Sequence, residues 1–278
     1  MKVELISWTH NPIETAAKAC SMCYKSEPSA KLVKNCIRSG HESTIEHINF
    51  TFLIEDIDRA TSHQLVRHRI ASYSQESQRY VSMHGMTTEQ FIYPRAATPN
   101  QKISYLKAFN SAIEEYENLQ RMGAKNEDAR AVLSNACPTS LVMTMNLRSL
   151  KNFMGERMCS RAQEPIRRLA MEMKKAILSC PELDDEGKEI IEMICVPKCE
   201  AGKIKFCPEH KSCGRQKTAK EINDAISKIK NGYWIWKSNY RDTEGDICST
   251  YSCSICNYVT NSIINYCPHC GAKMEESE

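Results

Sequence analysis

Four cysteines near the C-terminus constrain this chain more than any other feature. Cys253 and Cys256 are two residues apart, ten residues follow, and Cys267 and Cys270 repeat the spacing. Each pair presents two thiolates from one tight turn, and two such turns complete a tetrahedron around Zn²⁺. Pro268 and Gly271 suit the second turn. Four thiolates leave no open coordination position, so the expected metal is structural and not catalytic. So short a segment builds little core, and metal binding would supply its folding free energy.

Residues 245–278 are therefore expected to form a separate module, a zinc ribbon. The cysteine distribution agrees, with nine of the fifteen lying between Cys195 and Cys270. So many cysteines in a secreted peptide would suggest a disulfide scaffold. The opening MKVELISWTHNP has neither a long apolar run nor a small-residue cleavage site, so reduced thiols in the cytoplasm are expected instead. No segment approaches the roughly 20 apolar residues of a membrane helix, and no membrane role is expected. A net charge of +3 is too slight for general binding to nucleic acid or membranes. Cys195, Cys199, Cys207 and Cys213, with His210, are irregularly spaced and read as ordinary reduced thiols or one local disulfide in preference to a second metal site. Cys248 lies outside the ribbon spacing.

A length of 278 residues accommodates one full core plus this appendage. The first 195 residues alternate helix and strand. Ser29 can cap a helix ending at Gly40. Ile48, Phe50, Phe52 and Ile54 alternate as in a half-buried strand, and IDRATSHQLVRHR reads as a helix. After Pro94 and Pro99 a long amphipathic helix is expected to turn Ile103, Leu106, Ile113, Tyr116 and Leu119 to the core. Asn126 can cap the next helix. SLVMTMNL is a short strand, and RSLKNFMGERM and PIRRLAMEMKKAIL are helices. A short helix, TAKEINDAISKIK, falls within an expected helical linker over 216–244, with Trp234, Trp236 and Tyr240 starting the ribbon or packing it. The expected domains are thus 1–215, the linker 216–244 and the ribbon 245–278.

The segment RHRIASYSQESQRY, Arg67 to Tyr80, sets three arginines and a histidine among serines, tyrosines and two glutamines. Arginine's planar fork matches phosphate oxygens bidentately, which lysine cannot do. On a helix, Arg67, His68 and Arg69 would fan over roughly 200°. In an extended segment they point alternately to two sides and could grip two ligands, or two ends of one. A solvated charged loop is the bland alternative for RHR alone. Gln64, Ser72, Gln75, Ser77 and Arg79 around it favour a ligand with phosphates and polar edges.

RHR followed by seven residues and Ser77 resembles the signature of flavin-dependent thymidylate synthases. GHESTIEH at 40–47, DARAVL at 128–133, NLRSLKNFMGERMCSRAQEPIR at 146–167 and CPEHKSCGR at 207–215 are similar to further blocks of that family, in order. The resemblance covers about residues 1–215. It implies an α+β fold, a twisted, mainly antiparallel sheet flanked by helices, in a homotetramer with sites at subunit junctions. It implies FAD held by Ser43, Arg67, His68, Arg69, Gln75, Asn146, Arg148 and Asn152. It implies dUMP held by Gln64, Gln75, Ser77, Arg79, Arg130 and Arg157.

The implied reaction is reductive methylation of dUMP, with methylenetetrahydrofolate as carbon donor and NADPH as reductant. Arg157 would stabilise negative charge developing on the uracil, an electrostatic role of the oxyanion kind. Some family members carry a histidine where this chain has Arg161. Ser77 has arginines around it and no positioned base, so it reads as a binding hydroxyl and not a nucleophile. Cys137 precedes a proline and reads as a core thiol. The competing reading is a non-catalytic nucleotide- or nucleic-acid-binding protein. The ribbon's partner, protein or nucleic acid, stays open.

Overall fold

A computed structural model describes residues 1–202, 205–227, 231–244 and 246–275. It divides into two units, Met1–Lys205 and Phe206–Glu278. No described helix is long and apolar enough to cross a membrane.

The first unit opens with β1 (Lys2–Trp8), α1 (Pro12–Tyr24), α2 (Ala30–Arg38) and a 3₁₀ turn over Glu42–His47. Ser29 caps α2 through its side chain, accepting from the Leu32 amide at 3.2 Å. Then come β2 (Asn49–Asp58), α3 (Arg59–Leu65), β3 (Ser72–Gln75), α4 (Pro99–Arg121), α5 (Asn126–Ala129) and β4 (Pro138–Asn146). Four helices follow, α6 (Leu147–Arg157), α7 (Glu164–Leu178), α8 (Asp185–Ile194) and α9 (Lys198–Ala201). The strands form one antiparallel sheet in the order β1-β2-β4-β3. The unit is α+β, as expected.

Phe50, Phe52 and Ile54 of β2, just after Ile48, and Leu141, Met143 and Met145 of β4 are buried in one core with residues of α1, α2, α6, α7 and α8. The alternation does not continue to the end of β2. Asp56 adopts φ 56°, the register with β4 shifts between Ile54 and Ile57, and the bulge returns Ile57 to the core. Asp58 then caps α3, its Oδ1 accepting from the Thr61 amide at 2.7 Å.

Two expectations are corrected. Thr98 and Gln101 form a capping box at the start of α4, with Pro99 in the first turn. The buried stripe of this helix is Phe109, Ile113 and Tyr116, whereas Ile103 and Leu106 are 53% and 38% exposed. The first half of α4 thus carries apolar side chains that the described residues of the first unit leave exposed. Lys125, not Asn126, is the cap of α5; Asn126 lies in the helix and accepts from Gln120 at 2.8 Å.

In the second unit α10 (Ala219–Ser227) precedes β5 (Asn231–Arg241), β6 (Ile247–Cys253), β7 (Val259–Thr260) and β8 (Lys273–Glu275). These strands form a sheet in the order β7-β6-β5-β8, with β5 and β8 parallel. The stretch expected as a helical linker therefore holds α10 and then a strand of the cysteine module. The last three residues of the expected helix, Lys228 to Lys230, and Gly245 at the expected module start lie outside the described residues. Trp234 is 7% exposed in the module's core and donates to the Ile264 carbonyl at 2.9 Å, while Trp236 and Tyr240 are exposed.

Candidate active site

The arginine-rich segment runs from the end of α3 into β3, and its side chains alternate in sidedness. Arg67 and Arg69 are exposed, and neither guanidinium has a partner among the described residues. His68 between them is half-buried and turned inward. Its Nε2 accepts from Nε of Arg157, the last residue of α6, at 3.1 Å. The imidazole meets Phe153, one turn earlier on α6, edge to face at 4.9 Å and 82°. Burial first, and then the Arg157 charge, hold this imidazole below its ordinary pKa, with Glu156 opposing. The backbone is fixed too, because the Tyr73 hydroxyl donates to the carbonyls of Leu65 and His68 at 3.0 and 2.9 Å. Burial pushes the Tyr73 phenol up to about 12, so it stays a donor. Gln64 donates to Gln163 at 2.6 Å.

The second half of the segment is anchored differently. The Gln75 amide donates to the hydroxyls of Ser62 and Thr139 at 3.0 and 3.1 Å, so both its N–H groups are spent inside the chain. Glu76 donates its amide to the Ser140 carbonyl at 2.9 Å. From this fixed point Ser77 and Arg79 project. Arg79 pairs with Glu127 and lies over the Tyr80 ring, 5.3 Å from its centroid. The Nε of Arg130 donates to the Glu127 carbonyl at 3.1 Å. Glu127 thus brings two expected phosphate ligands together.

The remaining expected flavin ligands gather at the other end of the sheet. Asn146 caps α6, accepting from the Ser149 amide at 2.8 Å. Arg148 pairs with Glu46 and lies 3.9 Å from Glu42, and Lys151 also pairs with Glu42. Ser43 sits exposed in the 3₁₀ turn beside them, and Asn152 is exposed on α6. The seven residue steps of β4 from Thr139 to Asn146 span roughly 24 Å at about 3.4 Å per residue. One chain therefore does not gather all of these residues around a single small ligand.

Arg59 escaped the sequence reading. Its Nη2 donates to the Glu76 carbonyl at 2.9 Å, tying the start of α3 to the loop that presents Ser77 and Arg79. Its Nε is buried with no partner among the described residues, and burial lowers the guanidinium pKa, with Arg130 adding to the effect and Glu76 and Cys137 opposing. A signal existed. A cation in the first turn of a helix works against the macrodipole, so an arginine directly after the Asp58 cap calls for another purpose.

Cys137 is fully buried, and burial pushes its thiol up to about 11, which suits a core thiol and not a nucleophile. Cys253, Cys256, Cys267 and Cys270 offer Sγ atoms all within 4.8 Å of one another, the one such group found among the described residues. Two of the separations are 3.8 and 3.6 Å. Zinc bonds of about 2.3 Å in a tetrahedron set sulfurs roughly 3.8 Å apart, so the residues fit the ion. Asn257 and Gly271, each just after a Cys-x2-Cys pair, take φ 59° and 70°, the left-handed turn that closes a thiolate knuckle.

Comparisons with known proteins bear on the family and the fold. The family model described as Thymidylate synthase complementing protein matches residues 4–181. A flavin-dependent thymidylate synthase of Clostridium tetani is 37% identical over 254 residues, 80% of this chain and 96% of its own. One from Pyrococcus abyssi is 36% identical over 225 residues, 75% of this chain and 90% of its own. Among solved structures, the flavin dependent thymidylate synthase ThyX of Helicobacter pylori complexed with FAD and dUMP superposes with a TM-score of 0.58 at 25% identity, covering 70% of this chain and 99% of that one. The UMP/dUMP methylase PolB of Streptomyces cacaoi bound with 5-Br dUMP gives 0.59 at 25% identity, covering 70% and 96%. With the family model spanning most of the sheet and the relatives covered almost end to end, this chain belongs to the flavin-dependent thymidylate synthases.

Proposed function

We propose that the protein converts dUMP to dTMP, taking the carbon from methylenetetrahydrofolate and the reducing equivalents from NADPH through bound FAD. The observation that carries this reading is the pair of exposed guanidinium groups of Arg67 and Arg69, next to an Arg157 whose terminal nitrogens, like theirs, have no partner among the described residues. Free guanidinium forks suit pyrophosphate oxygens, so the residues fit the flavin nucleotide. FAD, when bound, supplies the hydride chemistry.

The chain supplies binding, orientation and charge. Arg67, Arg69, Ser43, Asn146, Arg148 and Asn152 hold the flavin, with His68 and Gln75 in the same shell. Gln64, Gln75, Ser77, Arg79 and Arg130 hold dUMP, the two arginines taking its phosphate. Arg157 is the catalytic residue. Its guanidinium faces the uracil, stabilises negative charge on a carbonyl and ring nitrogen, and so raises the nucleophilicity of carbon five. No covalent protein nucleophile takes part.

The working form is a cytoplasmic homotetramer with sites at subunit junctions. Two features support assembly: the separation of the two residue groups along the sheet, and the uncovered apolar face of α4 at Ile103 and Leu106. The C-terminal module binds one structural Zn²⁺ through its four thiolates. Purified protein is expected to be yellow and to bleach with NADPH in the absence of oxygen. Anaerobic turnover of dUMP with methylenetetrahydrofolate and NADPH completes the test. A colourless protein that FAD does not reconstitute refutes the proposal.

A further inference from the structure

We propose that His68 is a positioning residue for Arg157, holding its guanidinium in place without neutralising it. The inference rests on the reading of Arg157 as the group that faces the uracil.

The geometry assigns the imidazole its protonation. Its Nε2 accepts a hydrogen bond from Arg157 Nε at 3.1 Å, so that nitrogen carries a lone pair and the ring proton sits on Nδ1. Phe153 fixes the ring plane, and the Tyr73 hydroxyl and the bond from the His68 amide to the Leu65 carbonyl at 3.1 Å fix the backbone. The charged groups acting on the ring are Arg157 and Glu156, both on α6. Among the described residues Arg157 spends only its Nε, which leaves its terminal amino groups for a ligand.

Arg130 rests on a backbone carbonyl, but the two arginines held by carboxylates show why a neutral acceptor matters at Arg157. Arg79 is held by Glu127, and Arg148 by Glu46 and Glu42. A carboxylate holds a guanidinium firmly but cancels its charge locally. An imidazole holds it and leaves the charge intact. A group that has only to bind a phosphate can work from inside an ion pair. A group that must stabilise charge developing on a neutral ring cannot. Arg157, the one with that task, is the one held by imidazole.

Four variants test this, each scored for flavin content, the dUMP KM and kcat. His68→Ala removes a hydrogen bond of a charged donor, for which a ten- to hundred-fold loss is expected, on the order of the usual worth of such bonds. That loss should fall mainly on kcat, with flavin retained. His68→Gln presents a neutral acceptor and should recover most of the loss. His68→Glu presents a charged acceptor and should not. The fourth arm needs no turnover: NMR titration of His68 in wild type and in Arg157→Ala, where its pKa should rise once the neighbouring cation is gone. Loss of flavin in His68→Ala with normal turnover per bound flavin would make His68 a flavin contact and overturn the proposal. So would a His68→Gln variant no better than His68→Ala, or a His68 titration indifferent to Arg157. If wild type neither binds FAD nor methylates dUMP, the functional reading fails, while the titration still decides whether Arg157 and His68 are coupled.

Discussion

Replacing Arg59 with methionine separates what this residue does for stability from what it does for the nucleotide site. Methionine keeps the aliphatic stem and removes the guanidinium. The folded chain then loses one hydrogen bond from a charged donor, the 2.9 Å contact to the Glu76 carbonyl, worth about 1.5–3 kcal/mol. It also sheds a penalty. The buried Nε without a partner costs about 1–3 kcal/mol, and the repulsion from Arg130 disappears. The two nearly cancel, so stability should change by no more than about 1 kcal/mol, which is roughly 2–4 °C in melting temperature for a unit of this size. The site should respond more. The released carbonyl belongs to the residue just before Ser77, and it loosens the stretch that carries Arg79. Gln75 and the Glu76 amide keep their own anchors, so the loosening is partial. A three- to ten-fold rise in the dUMP dissociation constant, about 0.7–1.4 kcal/mol, with flavin content unchanged, is the expected outcome. Calorimetric titration with dUMP and a thermal melt give both numbers. A stability loss above about 3 kcal/mol with unaltered dUMP affinity would show that Arg59 serves the core and refute the reasoning.

Three further outcomes follow from named contacts. Tyr73→Phe removes the hydroxyl shared by the Leu65 and His68 carbonyls and should cost about 1–2 kcal/mol; an unchanged urea midpoint would show that these bonds contribute nothing. Because the folded chain takes up the His68 proton at lower pH than the unfolded chain does, the unfolded state binds more protons in that window, and stability should fall as pH drops below about 6.5 and level off beneath the folded value. His68→Gln should lack that part of the slope, and parallel pH profiles would contradict the assignment. A strong chelator should raise hydrogen exchange across β5, β6 and β8 while the Met1–Lys205 unit keeps its protection and its flavin; unaltered exchange in the ribbon would argue against a metal there.

The parts of the molecule that were legible in the sequence are those whose causes are local. The alternation from Ile48 to Ile54 gives β2, because a half-buried strand needs nothing beyond its own period. The two Cys-x2-Cys pairs give the thiolate cluster, because each turn is built from four consecutive residues. The bulge at Asp56 was not legible, since nothing in the pattern marks where the register shifts. The outward face of α4 at Ile103 and Leu106 misled for a different reason: an apolar stripe predicts a covering surface but does not say that the same chain provides it. Most of the site's wiring is also long-range. His68 and Arg157 are 89 residues apart, and Gln64 meets Gln163 across 99. The family resemblance placed Gln64, His68 and Arg157 near ligands, did not single out Gln163, and could not say which of them hold one another.

That wiring sorts the arginines by the partner that holds each of them. Arg79 and Glu127 are 56% and 31% exposed, and Arg148 and Glu46 are 46% and 43% exposed. Ion pairs so open to water are worth about 0.2–1 kcal/mol. A phosphate dianion can displace or join them at little cost, so these carboxylates keep the arms extended without closing the site. His68 and Arg157 are more enclosed, and charge there is screened less. A carboxylate in the place of His68 would sit where screening is weak and, on the proposed role of Arg157, would cancel much of its field on the uracil. The inward turn of the central residue of RHR, in the tight turn closed by the bond from its amide to the Leu65 carbonyl, therefore does more than fill the core. It puts a neutral acceptor at the position where an anion would do the greatest harm to the chemistry.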